Sequence, residues 1–125
     1  MTIADANVWI ALFKKDDSLH TRAKRLLTRL PKVGITEYVV VEVCSVLSMR
    51  TSKEVTDGFI HFIMGSKTVE ILPSGEDLFF GTLRLFEEQK HGKLSFTDVS
   101  LLYLSREYTV LTFDKNLERA IRVGK

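Results

Sequence analysis

The sequence predicts an α/β protein in which helices cover both faces of a parallel sheet. Short β-branched runs occur at Thr2–Ala4, Val33–Ile35, Val69–Leu72 and Thr109–Phe113, and segments with helical apolar spacing separate them. Strands that alternate with helices pair in parallel, because the right-handed crossovers bring each strand back in the same direction. The chain has 125 residues and no repeat or linker, so we expect residues 1–125 to form one domain.

Seven helical segments lie between and after these strands. They are predicted at Asn7–Lys14, Thr21–Leu30, Thr36–Arg50, Lys53–Met64, Glu76–Lys90, Thr97–Tyr108 and Asn116–Arg122. The third is ambiguous, because the segment ITEYVVVEVCSVL contains three consecutive valines, which favour a strand. Its length and a plausible N-cap at Thr36 favour a helix, as do the apolar residues at Val39, Val43, Val46 and Leu47. We assign a helix.

Composition and charge narrow the class of protein. The chain is 45% hydrophobic and 27% charged, which is ordinary for a globular protein and excludes a disordered one. Between residues 14 and 32 there are seven basic and two acidic residues, a local formal charge of +5. A polyanion would be attracted to such a patch, although a solvated helix face is the commoner explanation.

Cysteine usage and the lack of long apolar segments also predict where in the cell the protein is located. A single cysteine, Cys44, cannot form an internal disulfide, and it lies in an apolar helical pattern where a free thiol packs as a small hydrophobe. No signal-peptide pattern begins the sequence, and no apolar run approaches the ~20 residues that span a bilayer. We therefore expect a cytoplasmic protein that does not associate with membranes.

Two aspartates follow strands directly. Asp5 comes after the first strand and Asp114 after the last, in the segment TVLTFD. Each also precedes a helix, so each has an alternative explanation as a helix N-cap. In a parallel sheet both carboxylates project from the same edge, where sites in such folds gather.

Two more acids lie on the inward sides of helices. Glu42 is on the flank of the apolar stripe that contains Val39 and Val46, where an unpaired carboxylate costs several kcal/mol. Asp98 shares a helix face with Leu101 and Leu102. Asp98 also matches the S-x-x-D capping box with Ser95, and such a box is compatible with one free carboxylate oxygen.

Together the four acids predict a cation site. Two unit charges about 4 Å apart repel by roughly 4 kcal/mol at an effective dielectric near 20, so such a cluster needs protons or a cation. Oxygen ligands suit Mg²⁺ or Mn²⁺. Zinc has no support, because His20, His61 and His91 are scattered and His91 resembles a loop residue.

The chain resembles a PIN domain, and in size it is similar to ribonuclease toxins of VapC type and their archaeal relatives. The matching segments are IADANVWIAL, VVVEVCSVL, LSFTDVSLLYLSRE and VLTFDKNLERA, which occur in the family's order and span almost the whole chain. LSFTD and TFDKNL are the more specific of these. The resemblance implies a three-layer α/β/α Rossmann-like sandwich with a parallel sheet of four or five strands.

The resemblance also implies a site and an activity. It assigns the catalytic and metal-binding acids to Asp5, Glu42, Asp98 and Asp114, and supporting polar roles to Asn7, Ser95 and Thr112. The implied activity is endonucleolytic cleavage of RNA with one or two Mg²⁺ or Mn²⁺ ions, and four basic residues would guide the RNA: Lys14, Lys15, Arg22 and Arg25. The implied partners are a second copy of the chain, as a homodimer, and a small antitoxin protein.

Other interpretations remain open. A PIN-like fold without activity would serve as an RNA-binding or assembly module. A phosphatase of the haloacid dehalogenase type also uses an Asp after its first strand, but it needs a second Asp two residues later, where this sequence has Asn7. The aromatic residues Trp9, Phe13, Phe59 and Phe62 are candidates for a dimer or antitoxin surface, although a place in the core is the commoner explanation for each.

Overall fold

The structure, a computed structural model, describes residues 1–90 and 92–124, so the loop prediction for His91 lies outside the described residues. Within them the chain forms four strands and seven helices. The strands are β1 (Thr2–Ala4), β2 (Val33–Thr36), β3 (Val69–Leu72) and β4 (Thr109–Leu111). The helices are α1 (Ala6–Phe13), α2 (His20–Thr28), α3 (Glu37–Arg50), α4 (Lys53–Gly65), α5 (Glu76–Glu88), α6 (Phe96–Leu104) and α7 (Lys115–Val123).

All the strands pair in parallel, in the order β3-β2-β1-β4. The chain moves outward from β1 through β2 to β3 and then crosses to β4 on the other side of β1, where Ala4 is in register with Leu111. This reversal is a topological switch point, and its crevice lies at the carboxyl ends of the strands. The predicted parallel α/β sandwich is confirmed, with four strands in the described residues.

The third helix settles the ambiguity of the valine-rich segment. The Thr36 hydroxyl accepts a hydrogen bond from the Val39 backbone N–H at 3.3 Å, which caps the first turn of α3. Val39, Val43 and Leu47 are fully buried along one face of the helix. Helical burial therefore outweighs the strand preference of three valines, and the predicted helix is confirmed.

The predicted C-terminal ends of α2, α5, α6 and β4 are wrong by two to four residues. We expected the last strand to reach Phe113, but β4 ends at Leu111. The following Thr112 hydroxyl and Phe113 N–H instead bond to side chains at the start of α1. Helix α6 ends at Leu104 rather than Tyr108, because the Ser105 N–H is shared between two carbonyls of the last turn.

Aromatic packing fixes α1 against α4. Trp9 and Phe59 are almost fully buried, with ring centroids 6.3 Å apart in an edge-on arrangement, and the Trp9 indole N–H donates to the Ala4 carbonyl at 3.2 Å. Burying side chains of this size stabilises the fold by roughly 1.5–3 kcal/mol each. The core interpretation is therefore confirmed for these two residues, whereas Phe13 is half-buried and Phe62 is 41% exposed.

Helix packing brings two of the predicted acids towards the switch point. Helix α3 packs against α1, α4 and α6, and α6 also packs against α5 and α7. Glu42 on α3 and Asp98 on α6 are thus carried to the region where β1 and β4 end. No helix among the described residues has the length and apolar character needed to cross a membrane.

Candidate active site

Asp5 lies at the carboxyl end of β1 and is only 3% exposed. Its backbone N–H continues the pairing with β4 by donating to the Leu111 carbonyl at 2.8 Å. One carboxylate oxygen, Oδ1, accepts the Ala6 N–H at 2.7 Å, so the N-cap interpretation is confirmed. The other, Oδ2, accepts the Thr112 hydroxyl at 2.7 Å.

Burial raises the pKa of Asp5 from 3.8 to about 6. The hydrogen bonds from Thr112 and Ala6 favour the ionised form and oppose this shift, while the nearby charges of Asp98 and Glu42 add to it. Asp5 is therefore a carboxyl group that the fold orients firmly and that holds its proton to a higher pH than an exposed aspartate does.

Thr112 connects the two sides of the switch point. Besides donating to Asp5, its hydroxyl accepts the Asp114 N–H at 3.0 Å and the Asn7 amide at 3.4 Å. Asn7 Oδ1 accepts the Phe113 N–H at 3.2 Å. These contacts place two of the three predicted helper residues, Asn7 and Thr112, beside Asp5, where they hold the turn after β4 against the start of α1.

Asp114 caps α7. Its Oδ1 accepts the backbone N–H groups of Asn116 at 2.8 Å and Leu117 at 3.1 Å, as the N-cap interpretation predicts. Among the described residues, no group donates a hydrogen bond to Oδ2. Capping therefore uses one oxygen of this carboxylate and leaves the other available.

Asp98 forms the predicted capping box with Ser95. Asp98 Oδ2 accepts the Ser95 N–H at 3.0 Å, and the Ser95 hydroxyl accepts the Asp98 N–H at 3.1 Å. Burial raises the pKa of Asp98, and the charge of Asp114 raises it further, although the Ser95 N–H acts in the opposite direction. The box fixes the carboxylate at the first turn of α6, close to the end of β4.

Glu42 reaches the same region from α3. Burial raises the pKa of this half-buried carboxyl group; the nearby Thr97 hydroxyl favours the ionised form and opposes the shift, and the charge of Asp98 adds to it. Sequence reasoning missed Thr97. Its position directly before Asp98 in LSFTD is the only signal in the sequence, and the contact itself depends on how α3 packs against α6.

These four acids form one electrostatic cluster. Asp98 interacts with each of the other three, and Asp5 also interacts with Glu42. Within residues 1–90 and 92–124, however, no three His, Cys, Asp or Glu side chains are already arranged to hold a metal ion. Asp98 and Asp114 each direct one oxygen to a backbone donor of a helix cap, the Ser95 N–H and the Asn116 N–H.

The predicted basic residues differ in their relation to this cluster. Lys14 pairs with Asp16 at 2.8 Å, and Lys15 and Arg25 are exposed. The Arg22 guanidinium lies over the Phe113 ring, 5.2 Å from its centroid. Because Phe113 is in the turn between Thr112 and Asp114, Arg22 is the basic residue of α2 that the structure ties to the acidic site.

Comparisons with known proteins agree with this architecture. The model of the PIN domain family matches residues 2–123. The chain is similar to the structure of VapC20 of Mycobacterium tuberculosis, a Sarcin-Ricin loop cleaving toxin, with 21% identity, a TM-score of 0.88 and coverage of 96% of this chain and 95% of that one.

A second similar structure is VapBC2 of Rickettsia felis bound to a DNA fragment from its promoter, with 17% identity, a TM-score of 0.69 and coverage of 95% of this chain and 92% of that one. No curated protein sequence matches the chain. At these identities the two structures show the fold alone, whereas the family model covers almost the entire sequence. The chain therefore belongs to the PIN domain family.

Proposed function

We propose that this protein is a metal-dependent endoribonuclease and the toxin of a toxin–antitoxin pair, and that residues 1–125 form a single nuclease domain. The observation that carries the proposal is the cluster of Asp5, Glu42, Asp98 and Asp114 beside the switch point of the sheet. Four segments far apart in the sequence contribute to it, and burial raises the pKa of three of these acids, which is typical of functional rather than structural carboxylates.

The donor set fits Mg²⁺ or Mn²⁺. All four side chains offer hard oxygen ligands, and neither Cys44 nor the histidines among the described residues, His20 and His61, belong to the cluster. Asp98 and Asp114 each use one oxygen for a helix cap, so the other oxygen of each would be free to hold such an ion. When bound, a divalent ion lowers the pKa of a coordinated water and offsets negative charge on the phosphate.

The protein's own residues prepare this chemistry by orientation and charge. Thr112 and Ala6 fix both oxygens of Asp5, the capping box fixes Asp98, and the first turn of α7 fixes Asp114. Asp5, Glu42 and Asp98 hold protons more readily than exposed carboxyl groups do, so cation binding releases protons from them. One or two ions are compatible with four carboxylates.

The partners follow from the same site. The RNA substrate would be guided by Lys14, Lys15, Arg22 and Arg25, and Arg22 is nearest to the acids. An antitoxin would neutralise the site by inserting a basic side chain, which forms a charge-assisted contact with clustered carboxylates. We place the protein in the cytoplasm with these partners.

An apolar surface on α5 supports the proposed homodimer. Four of its side chains are between 41% and 50% exposed: Phe79, Phe80, Leu83 and Phe86. Phe79 and Phe86 also contact Phe96, which packs edge-on against Tyr38 of α3. Such a continuous apolar patch on a domain of this size usually marks an interaction surface.

The test is RNA cleavage by matched variants. Purified wild type, Asp5→Asn, Asp98→Asn and Asp57→Asn are incubated with structured and unstructured RNA in Mn²⁺ or EDTA. We expect wild type and Asp57→Asn to cut RNA only with the metal, leaving 5′-phosphate and 3′-hydroxyl ends, and the other two variants to lose at least ~100-fold in rate. Asp57 is a surface acid that pairs with Lys53, so it controls for the charge change.

Undiminished cleavage by both site variants would refute the proposed mechanism. Mn²⁺ bound at the acids without turnover would instead favour an RNA-binding module. Asn7 argues against the phosphatase alternative, because that class needs a second Asp at this position. Here the Asn7 amide is hydrogen-bonded to the Phe113 N–H and the Thr112 hydroxyl. Trapping a phosphoaspartate at Asp5 would revive it.

A further inference from the structure

A groove separate from the acidic cluster opens between the end of α5, the loop before α6, the last turn of α6 with the turn after it, and one face of α7. Its volume is about 720 Å³, within the roughly 300–1,000 Å³ of typical ligand sites. Leu85, Leu94, Leu102 and Ala120 supply apolar lining. We call this cavity the α6–α7 groove.

The charged lining of the α6–α7 groove has one sign. Lys93, Arg106 and Arg119 line it, and no Asp or Glu is among its lining residues in the described part of the chain. None of the three cations pairs with a carboxylate of the described residues within 4.0 Å. The groove is therefore electrostatically suited to an anion.

Arg106 lies in the turn after α6 and is held in place by Tyr103 of that helix. Its guanidinium lies 4.0 Å from the centroid of the Tyr103 ring, and its Nε donates to the Tyr103 carbonyl at 3.2 Å. Stacking on the ring reduces the side-chain freedom that an exposed arginine would lose on binding a ligand. The terminal nitrogens of the guanidinium remain available for a phosphate.

One end of the groove borders the acidic site. Leu94 directly precedes Ser95, which forms the capping box with Asp98. On the facing helix, Asn116 lines the groove and its N–H donates to Asp114. Two residues that line the groove are therefore immediate neighbours of residues in the acidic site.

This arrangement answers a physical problem of the acidic site. A polyanion that approaches four carboxylates is repelled, and a neighbouring row of unpaired cations offsets that repulsion. A positively charged groove that follows the backbone is one feature of sites that bind single-stranded nucleic acid, and the aliphatic lining of this groove gives the bases an apolar surface.

We propose that the α6–α7 groove binds the single-stranded RNA segment next to the scissile phosphate, with Arg106 and Arg119 contacting backbone phosphates and Lys93 adding to the field. The proposal rests on the ribonuclease function, because it extends the substrate path away from the acidic cluster. It gives the RNA a second contact surface, on the other side of Asp114 from Arg22.

The experiment measures RNA affinity in EDTA, where no cleavage is needed, by fluorescence anisotropy of a labelled single-stranded RNA. Arg106→Glu and Arg119→Glu are compared with Lys67→Glu, which makes the same charge change in the exposed loop before β3, at the opposite edge of the sheet. A lost charge-assisted contact corresponds to about tenfold weaker binding. We expect that loss for each groove variant and less than about a twofold change for Lys67→Glu.

Salt dependence separates a direct phosphate contact from a structural effect. The slope of log affinity against log salt should become shallower by about 0.7 for Arg119→Gln, because one phosphate contact with a single strand is removed. Thermal unfolding of each variant verifies that the exposed substitutions leave the fold intact. A melting temperature as in wild type together with the shallower slope supports the groove.

Two results would contradict the proposed RNA binding by the groove, and a third would distinguish this binding from the ribonuclease activity. If the Arg106→Glu and Arg119→Glu variants bind RNA as tightly as Lys67→Glu does, the proposal that the groove binds RNA is wrong. If wild type binds no RNA but binds an acidic peptide, and the groove variants bind that peptide more weakly, the surface belongs to a protein partner instead. If wild type binds RNA through Arg106 and Arg119 but cuts none with Mn²⁺, the groove stands and the ribonuclease function fails.

Discussion

Substituting Asp5 by Asn should change how stability depends on pH. The unfolded chain releases the Asp5 proton near pH 3.8 and the folded chain near pH 6. Because the folded chain holds this proton more tightly, the fold is stabilised fully below pH 3.8. This stabilisation is lost as the pH rises from 3.8 to about 6. The full loss is about 3 kcal/mol, because one pKa unit corresponds to 1.36 kcal/mol.

The assay is urea unfolding in EDTA at pH 5 and pH 8 for wild type and Asp5→Asn. About half of the loss falls between these two values, so the unfolding free energy of wild type relative to the variant should be about 1.4 kcal/mol lower at pH 8 than at pH 5. Asn retains an oxygen for the Ala6 N–H, so the cap persists. Asp57→Asn, on the exposed face of α4, should show a change under ~0.5 kcal/mol.

A wild-type-to-variant difference that is equal at the two pH values would refute the reasoning. It would mean that the Asp5 carboxyl group is not held in a desolvated, negatively charged environment. If the unfolding free energy of wild type relative to the variant were higher at pH 8 than at pH 5, a positively charged group would have to lie beside Asp5.

Further predictions concern single positions. Thr112→Val should lower the free energy of unfolding by about 1–3 kcal/mol, because the buried Asp5 oxygen loses its hydrogen-bond donor. Thr112→Ser keeps a hydroxyl donor and should retain most of the wild-type free energy of unfolding. Urea unfolding measures both variants. Gly81→Ala should destabilise the fold by about 1–3 kcal/mol, because a Cβ there overlaps the Tyr103 ring. Gly58→Ala, in open space on α4, should instead stabilise by about 0.5–1 kcal/mol, and thermal melting that ranks the two alanine variants the other way would contradict the packing of α5 on α6.

Local signals explain what the sequence could predict of the fold. The bounds of Thr2–Ala4 and Val69–Leu72 match their predictions because β-branched runs there are followed directly by a cap or a turn. The end of β4 depends instead on the contact between Thr112 and Asp5, which are 107 positions apart in the sequence. No window around TVLTFD contains that information.

The candidate site divides in the same way. The helix caps made by Asp5, Asp98 and Asp114 are visible in the sequence, because a cap needs only its own first turn. The closeness of the Thr97 hydroxyl to Glu42 depends on the packing of α6 on α3, so periodicity does not reveal it. The sequence does not predict the α6–α7 groove either, since its cations come from the loop before α6, the turn after α6 and the middle of α7.

The most direct test of the central claim is a calorimetric titration of the protein with Mn²⁺. If the four acids form one cation site, wild type and Asp57→Asn bind one or two ions per chain with release of protons, and Asp98→Asn binds at least tenfold more weakly although its capping box persists. A wild-type protein that binds no Mn²⁺, or an Asp98→Asn variant that binds it equally well, would contradict the account.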